Sequence, residues 1–184
     1  EITLKNGDKL QTDFTIVAAE ASGLIQNLSN QASKWKSCDT LYFETKDRII
    51  AKPLIGLIPA ADVLINNIFY HTSLATGQTS KNQLLSVTVV KNHNLSQEAL
   101  VNQVISELQQ HCGIDSCNFL KRYSIPMALP RLDNLQYEML PSETRLTTNI
   151  FLAGDTQLNG SLNAAMISGE RAALGVIETV AGSH

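Results

Sequence analysis

Asn149-Ile-Phe-Leu-Ala-Gly154-Asp155-Thr-Gln-Leu-Asn-Gly-Ser161-Leu-Asn163-Ala164-Ala165-Met-Ile-Ser168-Gly169-Glu-Arg-Ala172-Ala173 is the stretch from which the fold is read. A short apolar run ends at Gly154-Asp155, a loop of small residues follows, and a helix rich in Ala and Gly closes the chain. That strand–loop–helix order builds a cradle for anions and cofactors, because unpaired backbone N–H groups at a helix start point at whatever lies before them. Gly154 lets a ligand approach the backbone, and the Asp155 carboxylate at the strand end can accept charge-assisted hydrogen bonds from hydroxyl donors. Ser161 to Ala165 supplies the helix-start amides, and Ala164 and Ala165 carry no side chain that would block them. A Gly-Asp pair taken alone is a common turn. The whole ordered pattern favours a ligand site.

The rest of the chain sets the frame. Its 184 residues are 43% hydrophobic and 17% charged, which predicts one or two small folded domains and not a disordered chain. A net charge of -3 and a pI near 5.8 leave no electrostatic footprint for nucleic acid. The longest apolar stretch, Leu54 to Ile65, is interrupted by Pro59 and Asp62 and is too short to cross a bilayer, so no transmembrane segment is expected. The chain opens at Glu1 without a leader and its first Met is Met127, which reads as an excised or processed fragment. Cys38, Cys112 and Cys117 are odd in number, so they cannot all pair; this leans towards a reducing, cytoplasmic compartment. His111, Cys112 and Cys117 lack a fourth ligand and zinc-knuckle spacing, so no metal is expected. Asn27-Leu28-Ser29, Asn94-Leu95-Ser96 and Asn159-Gly160-Ser161 match the N-glycosylation triplet, which arises often by chance.

Along the chain, Ile2-Thr3-Leu4, the Asn6-Gly7-Asp8 turn and the run Phe14 to Ala19 predict a β-hairpin ending in a buried strand. A short helix follows over Ala21 to Gln31. Thr40 to Glu44, Ile49 to Leu57, Val63 to Tyr70, Leu84 to Val90 and Cys117 to Ile125 read as strands. Ser96 caps a helix running to about His111, with Leu100, Val104, Leu108 and Cys112 on one face and Gly113 as its stop. Pro126, Pro130 and Pro141 punctuate an extended crossing segment. The final unit is a strand over Ile150 to Ala153 and a helix from about Leu162 to Val180, whose packing stripe is expected at Leu162, Met166, Gly169, Ala173, Val176 and Val180.

The two ends therefore look like parts of one nucleotide-binding layer around an inserted lobe. The expected fold is α/β (α+β): a Rossmann-like layer from residues 1–34 and 142–184, and a mixed sheet with a helix over 35–141.

Gly154, Asp155, Ser161, Ala164, Ala165, Ser168, Gly169, Ala172 and Ala173 follow the order apolar strand, Gly-Asp, loop, Ser-x-x-(Gly/Ala)-Ala-x-x-Ser-Gly. That order resembles the closing segment of the FAD-dependent amine oxidase, protoporphyrinogen oxidase and phytoene desaturase superfamily. The front end is similar too, with Thr12-Asp13 and Ile16-Val17-Ala18-Ala19 placed like the strand that returns to the FAD domain in those enzymes. The firm match covers about a third of the chain. The resemblance implies that Asp155 holds the ribityl–pyrophosphate region of FAD and that the backbone at Asn163 to Ala165 faces the flavin ring. Asn163 stands where many relatives carry Glu. The opening Gly-x-Gly-x-x-Gly of the superfamily has no counterpart in this chain, so the chain alone is expected to hold FAD weakly or not at all and to be inactive by itself.

The expected function is thus the C-terminal part of an FAD-dependent oxidoreductase. Its small-molecule substrate is expected to be an amine or an apolar polyene- or porphyrin-like compound held by the middle lobe. A non-catalytic α/β module that binds an apolar ligand or a partner protein is the alternative. Tyr42, Phe43, Phe69, Tyr70 and His71 are possible pocket-lining residues, though aromatic residues in strands are more often core. His71, His93 and His111 have no carboxylate, Ser or Cys partner at suggestive spacing, and no catalytic residue is assigned.

Overall fold

The computed structural model describes residues 1–25, 28, 34–75, 77 and 81–182. Most of the expected helix at Ala21 to Gln31 and the triplet at Asn27 lie outside the described residues; what is described is a 3-10 turn at Ala21–Gly23. The chain divides into two compact units, Glu1–Trp35 with Leu129–His184, and Lys36–Ala128. The fold is α/β.

In the first unit the chain ends form a two-stranded parallel layer. Strand β1 (Ile2–Thr3) pairs antiparallel with β2 (Lys9–Leu10) across the Asn6-Gly7-Asp8 turn, where Gly7 adopts φ 89°. This corrects the sequence reading, which paired the first strand with the run at Phe14 to Ala19. So tight a turn closes on the residues immediately after it, and the later run is free to pair elsewhere. That run contributes β3 (Thr15–Val17), parallel to β9 (Ile150–Leu152), with Thr15 opposite Ile150 and Val17 opposite Leu152. The strand is not fully buried, since Ile16 is 41% exposed.

Helix α2 (Leu162–Ala181) starts at Ser161, whose hydroxyl accepts from the Ala164 N–H at 3.2 Å. Its buried face is Ala164, Ser168, Ala172 and Gly175, not the predicted stripe; Leu162 and Met166 are exposed. Small residues win that face because the helix runs against Phe151 of β9, and a larger side chain would hold it off. Phe151, Ala153 and Ala172 form one small core with Phe14 and Val176, and Met139, Leu158 and Ala164 form another with Ile167.

The second unit is a sheet in the order β5-β6-β7-β4-β8 and one helix. The strands are β4 (Trp35–Thr45), β5 (Gly56–Leu57), β6 (Ile65–Tyr70), β7 (Gln83–Val89) and β8 (Cys117–Pro130). The run at Ile49 to Leu57 yields only two strand residues, because Pro53 has no N–H to give a ladder. Pro126 sits inside β8 and is tolerated there because β8 is an edge strand. Helix α1 (Gln97–Cys112) matches its expected caps: the Ser96 hydroxyl accepts from Ala99 N–H at 3.2 Å, and Gly113 ends it at φ 66°. One face of the sheet (Leu41, Phe43, Ile65, Ile68, Tyr70, Leu85, Val87, Val89) shares a core with Leu100, Val104 and Leu108 of α1.

Candidate functional site

In the first unit the apolar residues of β9 lead into Gly154, whose φ of 123° is open to glycine and strained for any other residue. Asp155 then begins a 3-10 turn over Asp155–Gln157. The turn is anchored from α2, where the buried Ser168 hydroxyl accepts from the Gly154 N–H at 2.8 Å. Asp155 itself is half-buried, and its carboxylate makes no hydrogen bond or ion pair among the described residues. It stands at the carboxyl end of a parallel strand, the place where open α/β sheets bind ligands.

The helix start has its own accounting. Ser161 is exposed and donates to Asn159 Oδ1 at 2.6 Å while capping Ala164. Ala165 N–H bonds to the Ser161 carbonyl at 3.1 Å. Ala164 is buried, Ala165 half-buried and Asn163 exposed. The amides of Leu162 and Asn163 make no hydrogen bond among the described residues, as is usual for the first turn of a helix. Gly154, Asp155, Ser161, Asn163, Ala164 and Ala165 thus lie on one strand end and the helix start that follows it. The serines of the triplets at Asn94 and Asn159 are the N-caps of α1 and α2, a local reason for their presence.

The aromatic candidates of the second unit divide between two faces. Phe43 and Tyr70 are buried in the core. Tyr42, Phe69 and His71 occupy the other face: the Tyr42 ring lies 5.7 Å from His71 and 5.9 Å from Tyr123, and Phe69 lies 5.1 Å from His71. Tyr123, Ile125 and Met127, which alternate along β8, are 50%, 39% and 54% exposed and extend an apolar surface.

Two histidines have partners that local spacing did not show. His71 Nε2 lies 3.0 Å from Ser86 Oγ, but that hydroxyl also bonds the Phe69 carbonyl at 3.3 Å and is tied into the sheet. His93 Nε2 lies 2.9 Å from Asp39 Oδ2, and Arg122 Nε donates to Asp39 Oδ1 at 2.7 Å. Burial opposes the charge on Asp39, yet hydrogen bonds from Arg122, His93 and Ser124 outweigh it and hold the carboxyl below its ordinary range. The available signal was parity: Asp39 takes the inward phase shared by Leu41, Phe43 and Thr45 of β4, where an apolar residue is the rule. Burial pushes the Cys112 and Cys117 thiols up, and both pack against the core. Among the described residues, no group of three His, Cys, Asp or Glu side chains is placed to hold a metal ion, and no helix is long and apolar enough to cross a membrane.

No protein-family profile and no curated protein sequence matches the chain. Solved structures do match by shape. A protein provisionally assigned as a protoporphyrinogen oxidase from Exiguobacterium sp. 255-15 aligns with 90% of this chain at 14% identity and a TM-score of 0.57, over 41% of its own length. A Pyrococcus furiosus protein aligns with 97% of this chain at 12% identity and a TM-score of 0.56, over 42% of its length. An oxidoreductase from Methanosarcina mazei aligns with 86% at 10% identity and a TM-score of 0.55, over 37% of its length. The chain spans about two fifths of the length of the structures it matches. At these identities the likeness is one of fold: an α/β arrangement found in larger proteins, at least one of them an oxidoreductase.

Proposed function

We propose that this chain is the C-terminal part of an FAD-dependent oxidoreductase, with its two ends completing the flavin site and the second unit, Lys36–Ala128, forming the substrate lobe. The observation that carries the reading is Asp155: a half-buried carboxylate that has no partner among the described residues, at the carboxyl end of a parallel strand and one loop before a helix start with two amides likewise unbonded among them. The residues fit the group. Asp155 would accept from ribityl hydroxyls, Gly154 would let the cofactor lie against the backbone, and the amides of Leu162 and Asn163 would face an anionic or electron-rich edge. Bound flavin supplies the redox chemistry, and the protein supplies orientation and exclusion of water. The apolar sheet face of Tyr42, Phe69, Tyr123, Ile125 and Met127 supports an amine or an apolar polyene- or porphyrin-like substrate.

The test is the flavin absorption of the protein in its full natural length, wild type against Asp155→Ala and Asp155→Asn. Flavin retention should fall at least about tenfold in the Ala variant and less in the Asn variant, which keeps an acceptor. Unchanged occupancy in both would remove Asp155 from the flavin site.

A further inference from the structure

The second unit carries a polar cleft of about 440 Å³. Ser37, Asn92, Asn94 and Ser124 contribute to its walls, and at its base lies the Asp39–His93–Arg122 network. We propose that this cleft binds an oxyanion, the carboxylate or phosphate group of a small molecule, with the guanidinium of Arg122 as its principal contact. The proposal does not depend on the flavin reading.

Charge is the first argument. Among the described residues, Lys91 and Arg122 are the cations of the lining and Asp39 is its single carboxylate, which leaves one formal positive charge uncompensated. Lys91 is committed: its ammonium donates to the carbonyls of Ala60, Ala61 and Val63. Arg122 is not. Asp39 takes only its Nε–H, and the terminal nitrogens make no hydrogen bond among the described residues. A guanidinium held through Nε keeps an N–H pair free to meet a two-oxygen acceptor.

Preorganisation is the second argument. The Arg122 side chain is only 19% exposed, so its entropy is already spent. The Asp39 carboxylate that holds it is fixed on its other oxygen by His93 Nε2 at 2.9 Å. His93 Nδ1 in turn accepts from the Leu95 N–H at 3.4 Å, which leaves Nε2 to face Asp39. The Ser37 hydroxyl and the Asn92 and Asn94 amides at the walls can complete the shell of an anion and are poor partners for an apolar ligand.

The experiment titrates the chain with inorganic phosphate and, separately, with malonate at matched ionic strength, following the side-chain resonances of Arg122 Nε–H and His93 by NMR. One or both probes should produce a saturable shift, and the tighter one names the class of group. Arg122→Gln should weaken binding by at least about tenfold, and Arg122→Lys, which keeps the charge and loses the fork, by less. Asn94→Asp adds a carboxylate at the rim without touching the network and should also weaken binding, so it decides the matter if an Arg122 variant fails to fold. No saturable shift with either probe, or binding unchanged in Asn94→Asp and in any folded Arg122 variant, overturns the proposal.

Discussion

The hydroxyl of Ser168 accepts from the Gly154 N–H at 2.8 Å and lies 3.0 Å from the carbonyl oxygen of the same residue. One buried side chain from the second turn of α2 therefore fixes the backbone at the point where β9 ends and Asp155 begins its turn. Gly154 has φ 123°, a conformation glycine reaches without strain but does not prefer, so the Ser168 contact selects it from the alternatives. Ser168→Ala leaves a part-buried N–H without its partner and should cost about 1–3 kcal/mol. Urea denaturation checks this: the midpoint should fall with an unchanged slope, and an unmoved midpoint would mean the tie is not formed in solution.

The two glycines of α2 should respond to alanine in opposite ways. A Cβ on Gly175 would come 2.9 Å from the Phe151 ring and 2.9 Å from the Pro141 carbonyl, neither of which can yield cheaply. Gly175→Ala should destabilise by about 1–3 kcal/mol through overpacking. Gly169 has nothing within 4 Å of its Cβ position, so Gly169→Ala should stabilise by about 0.5–1 kcal/mol through helix propensity. Thermal melts of both variants test the pair together; a shift of the same sign in both would show that close packing of α2 on β9 does not set the difference.

How much of this was legible in the sequence depended on whether the information is local. Ser96, Gly113 and Ser161 announce helix ends because a cap acts on residues three or four positions away: Ser96 starts α1, Gly113 ends it and Ser161 starts α2. The strand, Gly-Asp and small-residue helix at the C-terminus were legible for the same reason. The buried face of α2 was not: ranking by hydrophobicity selected Leu162 and Met166, whereas closeness to Phe151 selected Ala164, Ser168, Ala172 and Gly175. The parallel pairing of β3 with β9 joins residues about 135 positions apart, so no turn residue marks its register. The Asp39–His93–Arg122 network was also hidden by distance, with His93 and Arg122 54 and 83 positions from Asp39 and only the inward parity of Asp39 as a sign.

Glu107 illustrates a buried charge with a structural role. It is 4% exposed on α1, and its carboxylate accepts from Leu64 N–H at 2.9 Å, Ile65 N–H at 3.0 Å and Gln103 Nε2 at 2.9 Å. It thereby closes backbone donors where β6 starts. Glu107→Ala should cost about 3 kcal/mol or more, because charge-assisted bonds are lost and two amides are left dry. Glu107→Gln, which retains one acceptor oxygen, should cost about half as much. Hydrogen exchange gives a local readout: the Leu64 and Ile65 amides should exchange faster in both variants, and protection equal to wild type would contradict the assigned role.

The Asp39 carboxyl should write its own signature into the acid limb of stability. Its partners hold the folded-state pKa below the unfolded value of about 3.9. A depressed carboxyl contributes stability that is fully present above the unfolded value and is lost as pH falls through the folded one. Asp39→Asn removes that contribution, and it also leaves Arg122 and His93 without their shared anion. At about pH 7 the variant should therefore be clearly less stable than wild type, and the gap should narrow steadily from about pH 5 to about pH 2. Urea midpoints of both proteins across that range measure the gap directly, with titrating groups that do not touch Asp39 cancelling in the difference. A gap that stays constant down to the lowest pH would show that Asp39 keeps an ordinary pKa, and that its contacts with Arg122 and His93 do not stabilise its charged form.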